Sequence, residues 1–444
     1  MNTRSYLASK ALLLTMVAAP AAILGGLAWD RHLNAPPTAD VPNPTMPSPN
    51  ATNTLLEASA QVVRTKDVDN AIASKPQPHE HAYTPAERAN LVAANATALA
   101  TVRRALGEPF ENKPMRRFDQ LLPELAKYRG LARLLLLESE VREANGDYAG
   151  AVDSNLDAIQ LGVMVPRGGV VIHGLVGIAC QAIGEKSIWK MIDHLNADQA
   201  AAAARRLETI DSQSVPYVET MRQEKWGTEA SLVNELRHKS NYDLWREIAV
   251  MNGTDDSGSP KLSLGESFAV YQRLALISKQ DVVDHYGRWM DAQIAAADQP
   301  YSLSPPKIAS PSDPINQVIA PVMDQAQFKW CTTRLNNGLL TCALALRAYQ
   351  ARHGAYPADL AALVSDGLLT RVPADPFAPT KDSPFHYQQK ADGTFLLYSV
   401  GPDGIDNGGA PVDLTKGNIS NRNFLQKDDQ GDWVYGVNTP HPSL

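Results

Sequence analysis

A chain of 444 residues, 44% hydrophobic and 20% charged, is long enough for about two to four domains, and its 28 Gly and 31 Pro keep it far from collagen-like or wholly disordered composition. The formal net charge of −7 argues against a nucleic-acid binder, which needs a positive surface to displace counterions from phosphate. Three cysteines exclude a disulfide-stapled scaffold and a Cys-rich zinc domain.

Arg4 and Lys10 precede an uncharged, mainly apolar run from Ala11 to Trp29. At about 1.5 Å per residue a helix over 11–29 is about 28 Å long, close to the hydrocarbon thickness of a bilayer. A secretory signal has a shorter apolar region and a small-x-small cleavage site. This run ends instead in Leu27-Ala28-Trp29-Asp30-Arg31, with Trp29 placed as an interfacial anchor. We therefore expect an uncleaved transmembrane signal anchor over 11–29, a cleaved signal being the alternative. The basic tail over 1–10 is expected to stay in the cytoplasm. The protein is then single-pass in the inner membrane, with most of the chain periplasmic.

Residues 30–84 read as a Pro-rich linker, extended through Pro36, Pro37, Pro42, Pro44, Pro47 and Pro49, with a short helix over Leu55–Val63. His79-Glu80-His81 sits among prolines with no further ligands nearby, and reads as solvated linker rather than as a metal site.

Residues 85–300 read as an α-helical domain. Thr84, Pro85 and Glu87 form a capping-box signature. Helices are expected at about 86–106, 119–144, 148–163, 169–193, 197–211, 216–237 and 265–296, with a long loop over 240–260. Gly146-Asp147-Tyr148, Ala151, Ala158 and Leu161 resemble one tetratricopeptide unit, with Asn155 where an aromatic is usual. No second copy follows, so an ordinary α-hairpin is the equal reading. Gly184-Glu185-Lys186-Ser187 has the wrong glycine spacing, and a helical lead-in, for a phosphate loop.

Residues 311–444 change in texture. Phe328, Cys331, Leu335, Leu339, Cys342, Leu346 and Tyr349 form a helical apolar stripe that Gly354 ends. A short helix over 357–364 and a hairpin of two strands, 385–389 and 394–400, follow. After Gly354 there are eleven Asp and no Glu, against six Lys and Arg. Asp favours turns and loop-borne cation sites over helix interiors.

Four motifs in order, Gly354-Ala355-Tyr356-Pro357, Asp375-Pro376-Phe377, Pro384-Phe385-His386-Tyr387 and Tyr398-Ser399-Val400-Gly401-Pro402-Asp403-Gly404, resemble the major pseudopilin of type II secretion systems over about 326–436. The resemblance implies a pilin-like long helix packed on a small antiparallel sheet and closed by a loop holding Ca2+. It places Asp403 among the calcium ligands, with a second carboxylate from one of Asp428, Asp429 and Asp432; Asp406 and Asn407 are candidates for further oxygen donors. Hard oxygens on a Gly-rich loop suit that ion, the plain alternative being a solvated Asp/Gly loop. A domain starting some three hundred residues into the chain is not expected to polymerise through its own N-terminal helix.

The fold class expected is therefore α + (α+β): a transmembrane helix, a mainly α-helical middle domain and a pilin-like C-terminal domain. The role expected is interaction or scaffolding in the bacterial cell envelope, secretion-related, with envelope proteins and the membrane as partners and no nucleic acid. The alternative is an extracytoplasmic enzyme with its site in the helical domain.

Overall fold

Apolar residues at three- and four-residue spacing run through most of the chain, and Pro, Asn and Gly cut that pattern into helices. A computed structural model describes residues 29, 31–72, 82–251, 264–301, 305, 307–320, 324–415 and 424–439. The expected span over 11–29 lies outside these residues except for Trp29, and so does His79-Glu80-His81. Among the described residues no helix is long and apolar enough to cross a membrane.

Within the stretch read as a linker, Ala51–Gln61 (α1) and Thr65–Ala71 (α2) are helices. Asn50 caps α1 by accepting the Thr52 N–H, and Leu55, Ala58 and Val68 are buried. The prolines before residue 50 dominate the local composition and mask the amphipathic run behind them. The Thr84–Glu87 capping box is present and opens Pro85–Ala94 (α3). The single helix expected to 106 breaks at Asn95 before Ala96–Leu106 (α4). Buried Asn95 accepts from the Val63 N–H and donates to the Val63 and Leu91 carbonyls, so its side chain competes with the helix backbone.

Glu124–Ala144 (α5), Tyr148–Met164 (α6), Val171–Met191 (α7), Ala197–Ser212 (α8) and Tyr217–His238 (α9) lie within a few residues of expectation. Gly146, at φ 78°, turns the corner between α5 and α6. Asn155 replaces the aromatic of a tetratricopeptide unit by donating to Ser139 Oγ at 2.8 Å. Helices α6 and α7 approach so closely that a Cβ on Gly177 would collide with the Gly162 carbonyl, and one on Gly184 with the Asn155 carbonyl. The glycine of the rejected phosphate-loop motif is thus a packing residue. Buried Glu138 and Asp157 share Arg103, while Arg142 and Arg206 complete an ion network that ties α4, α5, α6 and α8 together.

The loop expected over 240–260 contains a helix, Asn241–Met251 (α10). The turn residues from Asn252 onward obscured an apolar pair at i,i+4, Leu244 and Ile248, both of which are buried. Leu264–Leu276 (α11) follows, and Ser278 then caps Lys279–Ala297 (α12) by accepting the Asp281 N–H.

Asp313 caps Pro314–Ile319 (α13), and Asp324–His353 (α14) is the long helix of the C-terminal part, stopped by Gly354 at φ 78°. Ala361–Ser365 (α15) leads to a three-stranded antiparallel sheet in the order His386–Gln389 (β1), Phe395–Ser399 (β2), Trp433–Val434 (β3). Tyr387 lies opposite Leu397 and Ser399 opposite Trp433. The chain is mainly helical with this one small sheet.

A single apolar cluster runs from Leu156 and Ile159 of α6 and Leu207 of α8, through Leu339, Leu340 and Leu344 of α14, to Leu397 and Trp433 of the sheet. The stripe on α14 is therefore only part of its buried surface. Leu335, Leu339, Leu340, Leu344, Leu346 and Ala348 are all at 0% exposure, because helices cover one side of α14 and the sheet turns cover the other. Residues 31–34 are helical. Beyond them Thr38 is held on α12, its N–H donating to Gln280 Oε1 at 2.9 Å and its carbonyl accepting from Gln280 Nε2 at 3.1 Å.

Candidate functional site

The motifs that carry the pseudopilin resemblance meet in space. Asp375 of the Asp-Pro turn is buried and accepts three hydrogen bonds, from the Phe377 N–H (3.0 Å), the Ser399 hydroxyl (2.7 Å) and the Val400 N–H (2.9 Å). Burial pushes its carboxyl above the ordinary range, and the three donors pull against that shift. The turn at 375 is thereby fastened to the end of β2, where the Asp-rich loops begin.

Asp403 accepts the Ile405 N–H through one oxygen and the Gly431 N–H through the other, each at 3.0 Å. Asp406 accepts from the Tyr398 hydroxyl and the Gly408 N–H, and lies 3.4 Å from His386 Nδ1. The Gly408 N–H, followed by Tyr398 and His386, holds the Asp406 carboxyl below its usual range. Asp432 is fully buried and accepts from the N–H groups of Asn407 and Gly409. Desolvation pushes it up, and the nearby charges of Asp406 and Asp403 push the same way. Asp429 serves its own turn, accepting the Gln426 N–H at 2.7 Å.

Asp403 and Asp406 therefore come close enough for their charges to act on Asp432. Hard carboxylate oxygens match what a divalent cation takes, and a cation would relieve the repulsion felt by Asp432. Much of their accepting capacity already goes to backbone N–H groups. Among the described residues no three His, Cys, Asp or Glu side chains are grouped to hold a metal ion.

A groove of about 680 Å3 lies between α7, α14 and residues 424–428. Leu175, Ile178, Phe328 and Leu425 give it an apolar floor, with Lys329, Thr332, Asn336 and Asp428 as polar lining. Glu185 also lines it, and sequence reasoning missed that residue. It is 9% exposed and accepts from Trp189 Nε1 at 2.8 Å and Asn336 Nδ2 at 3.2 Å. With only these neutral donors against its desolvation, its carboxyl is pushed up to about 7. The signal available in the sequence was that Glu185 is the one carboxylate of α7. Next to it, Asn337 Nδ2 donates to Gln181 Oε1 at 2.9 Å, so a polar seam runs through the contact of α7 with α14.

A second groove of about 590 Å3 separates the helices from residues 371–382, with Arg334, Arg371 and Lys381 on its lining. Asp382, at φ 66°, adopts the left-handed region at its edge. Cys331 also lines this groove, and burial pushes its thiol up to about 12, which leaves it inert as a nucleophile. His285 places Nδ1 3.3 Å from Asp313, while the Asp281 carboxylate accepts the Ser278 hydroxyl and the Asp281 N–H donates to Ser278 Oγ. Comparison with protein-family models, with curated proteins and with solved structures finds no significant match to this chain.

Proposed function

We propose that the chain is an extracytoplasmic protein held to the bacterial inner membrane by residues 11–29. Its pseudopilin-like part is joined to a helical body and serves as a scaffold for other envelope proteins, in the setting of a secretion machine. The observation that carries this reading is the position of α14. Most of its residues from Leu335 to Ala348 are buried between α8 on one side and the sheet region on the other, so this stretch of the long helix is enclosed within the molecule. A helix so enclosed supports a role as a fixed platform rather than as a polymerising subunit. The groove between α7, α14 and 424–428 offers a partner segment an apolar floor with charged edges. Calcium on Asp403, Asp406 and Asp432 would close the loops of this platform.

The test is site-specific photocrosslinking in intact cells, with the crosslinker replacing Lys329 or Thr332 in the groove and, as control, Val364 on α15. The scaffold reading expects a discrete adduct with an envelope protein from the groove positions and none from the control. Absence of any adduct from the groove would count against it.

Glu185 favours a second reading, an extracytoplasmic enzyme, because a carboxyl titrating near 7 beside an open groove has the properties of a general acid or base. Two neutral hydrogen bonds already engage it, and the same burial fits a structural role. Abolition of a measurable turnover by Glu185→Gln would favour the enzyme.

A further inference from the structure

Helix α11 has two apolar faces and one of them is bare. Leu274 is buried at 2% exposure, with Val270 beside it in the same apolar cluster, and the helix packs on α10 and α13. On the far side Phe268 is 61% exposed, Tyr271 42% and Leu276 71%. A surface helix in water ordinarily turns its polar face outward. Phe268 and Tyr271 stand three residues apart, so they project from the same side.

The neighbourhood says what covers this face. The Thr38 pair with Gln280 lies four residues past Leu276, at the start of α12. Four residues span at most about 14 Å. His32 approaches the same helix start closely enough for its charge to act on Asp281. Trp29, whose ring centroid is 6.1 Å from that of His32, is 56% exposed at the end of the apolar run. From Trp29 to Thr38 the chain can reach no more than about 30 Å, and the helical residues 31–34 shorten that reach. The bilayer exit of the anchor and the C-terminal end of α11 are therefore neighbours.

We propose that the outer face of α11 lies on the lipid surface, with Phe268, Tyr271 and Leu276 seated at the level of the headgroups. This inference rests on the anchor reading of residues 11–29. Aromatic side chains favour that interface, and an amphipathic helix can bury an apolar face there in the plane of the membrane. The contact would hold the body at a fixed attitude to the bilayer, which a single flexible tether does not do.

The full chain reconstituted in liposomes of phosphatidylethanolamine and phosphatidylglycerol provides the test. Bimane is attached to Phe268→Cys, Tyr271→Cys or Val364→Cys, and the lipids carry a nitroxide quencher. Cys180 and Cys342 are buried and Cys331 is half-buried, so labelling of the unsubstituted chain sets the background. The proposal expects at least twofold stronger quenching at positions 268 and 271 than at 364. Equal quenching at all three sites, in chains that resist carbonate extraction, overturns it while the anchor stands. Crosslinking of two chains through Phe268→Cys without lipid quenching assigns the face to a second copy and overturns it as well. Release of the chain from the liposomes by carbonate removes the anchor, and this inference with it.

Discussion

Burial keeps the Glu185 carboxyl protonated up to about pH 7 in the folded chain, whereas in the unfolded chain it ionises near 4.5. Between those values the folded state holds a proton that the unfolded state has lost. Stability from this group is thus complete below about 4.5 and falls as pH rises towards 7, by an amount on the order of 3 kcal/mol. Glu185→Gln does not titrate and keeps an acceptor for Trp189. Relative to the parent it should gain about 1–3 kcal/mol between pH 5 and pH 8. Urea denaturation of both proteins at the two pH values measures this difference, in which every other titrating group cancels because both chains share it. A difference independent of pH would contradict the account. For the Asp-rich loops, calcium bound only to the native state should stabilise the chain by about 2 kcal/mol at ten to a hundred times a millimolar-range Kd. The melting temperature with calcium should exceed that with chelator by a few degrees, and Asp403→Asn with Asp406→Asn should erase the gain. An unchanged melting point would remove calcium from the description.

Elements whose ends carry their own chemistry were legible. The Thr84–Glu87 capping box, Gly354 after the long helix and the Lys390 to Gly393 turn between the strands all stand where the sequence puts them. What local pattern does not encode is which surface an element meets. The stripe from Phe328 to Tyr349 predicted one buried face for α14, and Leu340, Leu344 and Ala348 show that there are more. Asp375 offered no sign that it would be buried beneath Ser399 and Val400, because that contact joins residues 24 and 25 positions apart. The Asp residues proposed for calcium could be named from the resemblance, whereas the grooves depend on how α7, α14 and the C-terminal loops come together. The packing of α6 on α7 makes a sharp prediction at this scale. Gly177→Val inserts a side chain against the Gly162 carbonyl, and overpacking of this kind costs typically about 1–3 kcal/mol. Chemical denaturation should show that loss. Gly130→Ala, which meets nothing within 4 Å on a helix of the same bundle, should not destabilise.

At the scale of the whole molecule, the chain that composition divides into linker, helical part and pseudopilin-like part is held together by shared apolar surfaces. Leu55 and Ala58 of α1 pack in one cluster with Leu131 and Leu135 of α5, while Leu207 of α8 shares another with Leu339 of α14 and Trp433 of β3. The N-terminal stretch is tied down at Thr38 and again at Pro42, whose carbonyl accepts from Arg116. Shared apolar surfaces of this kind suit the platform role proposed for the chain. The acidity apparent in the composition also acquires a location, since the loops around Asp403, Asp406 and Asp432 bring like charges to bear on Asp432. The central claim is that this body stands outside the inner membrane on a single N-terminal helix. Protease treatment of spheroplasts, followed by carbonate extraction of the membranes, tests it most directly with a C-terminal epitope tag as the readout. The account predicts a chain that carbonate leaves in the membrane and whose tag is lost to protease in intact spheroplasts. A chain released by carbonate, or a tag digested only after the spheroplasts are lysed, would contradict it.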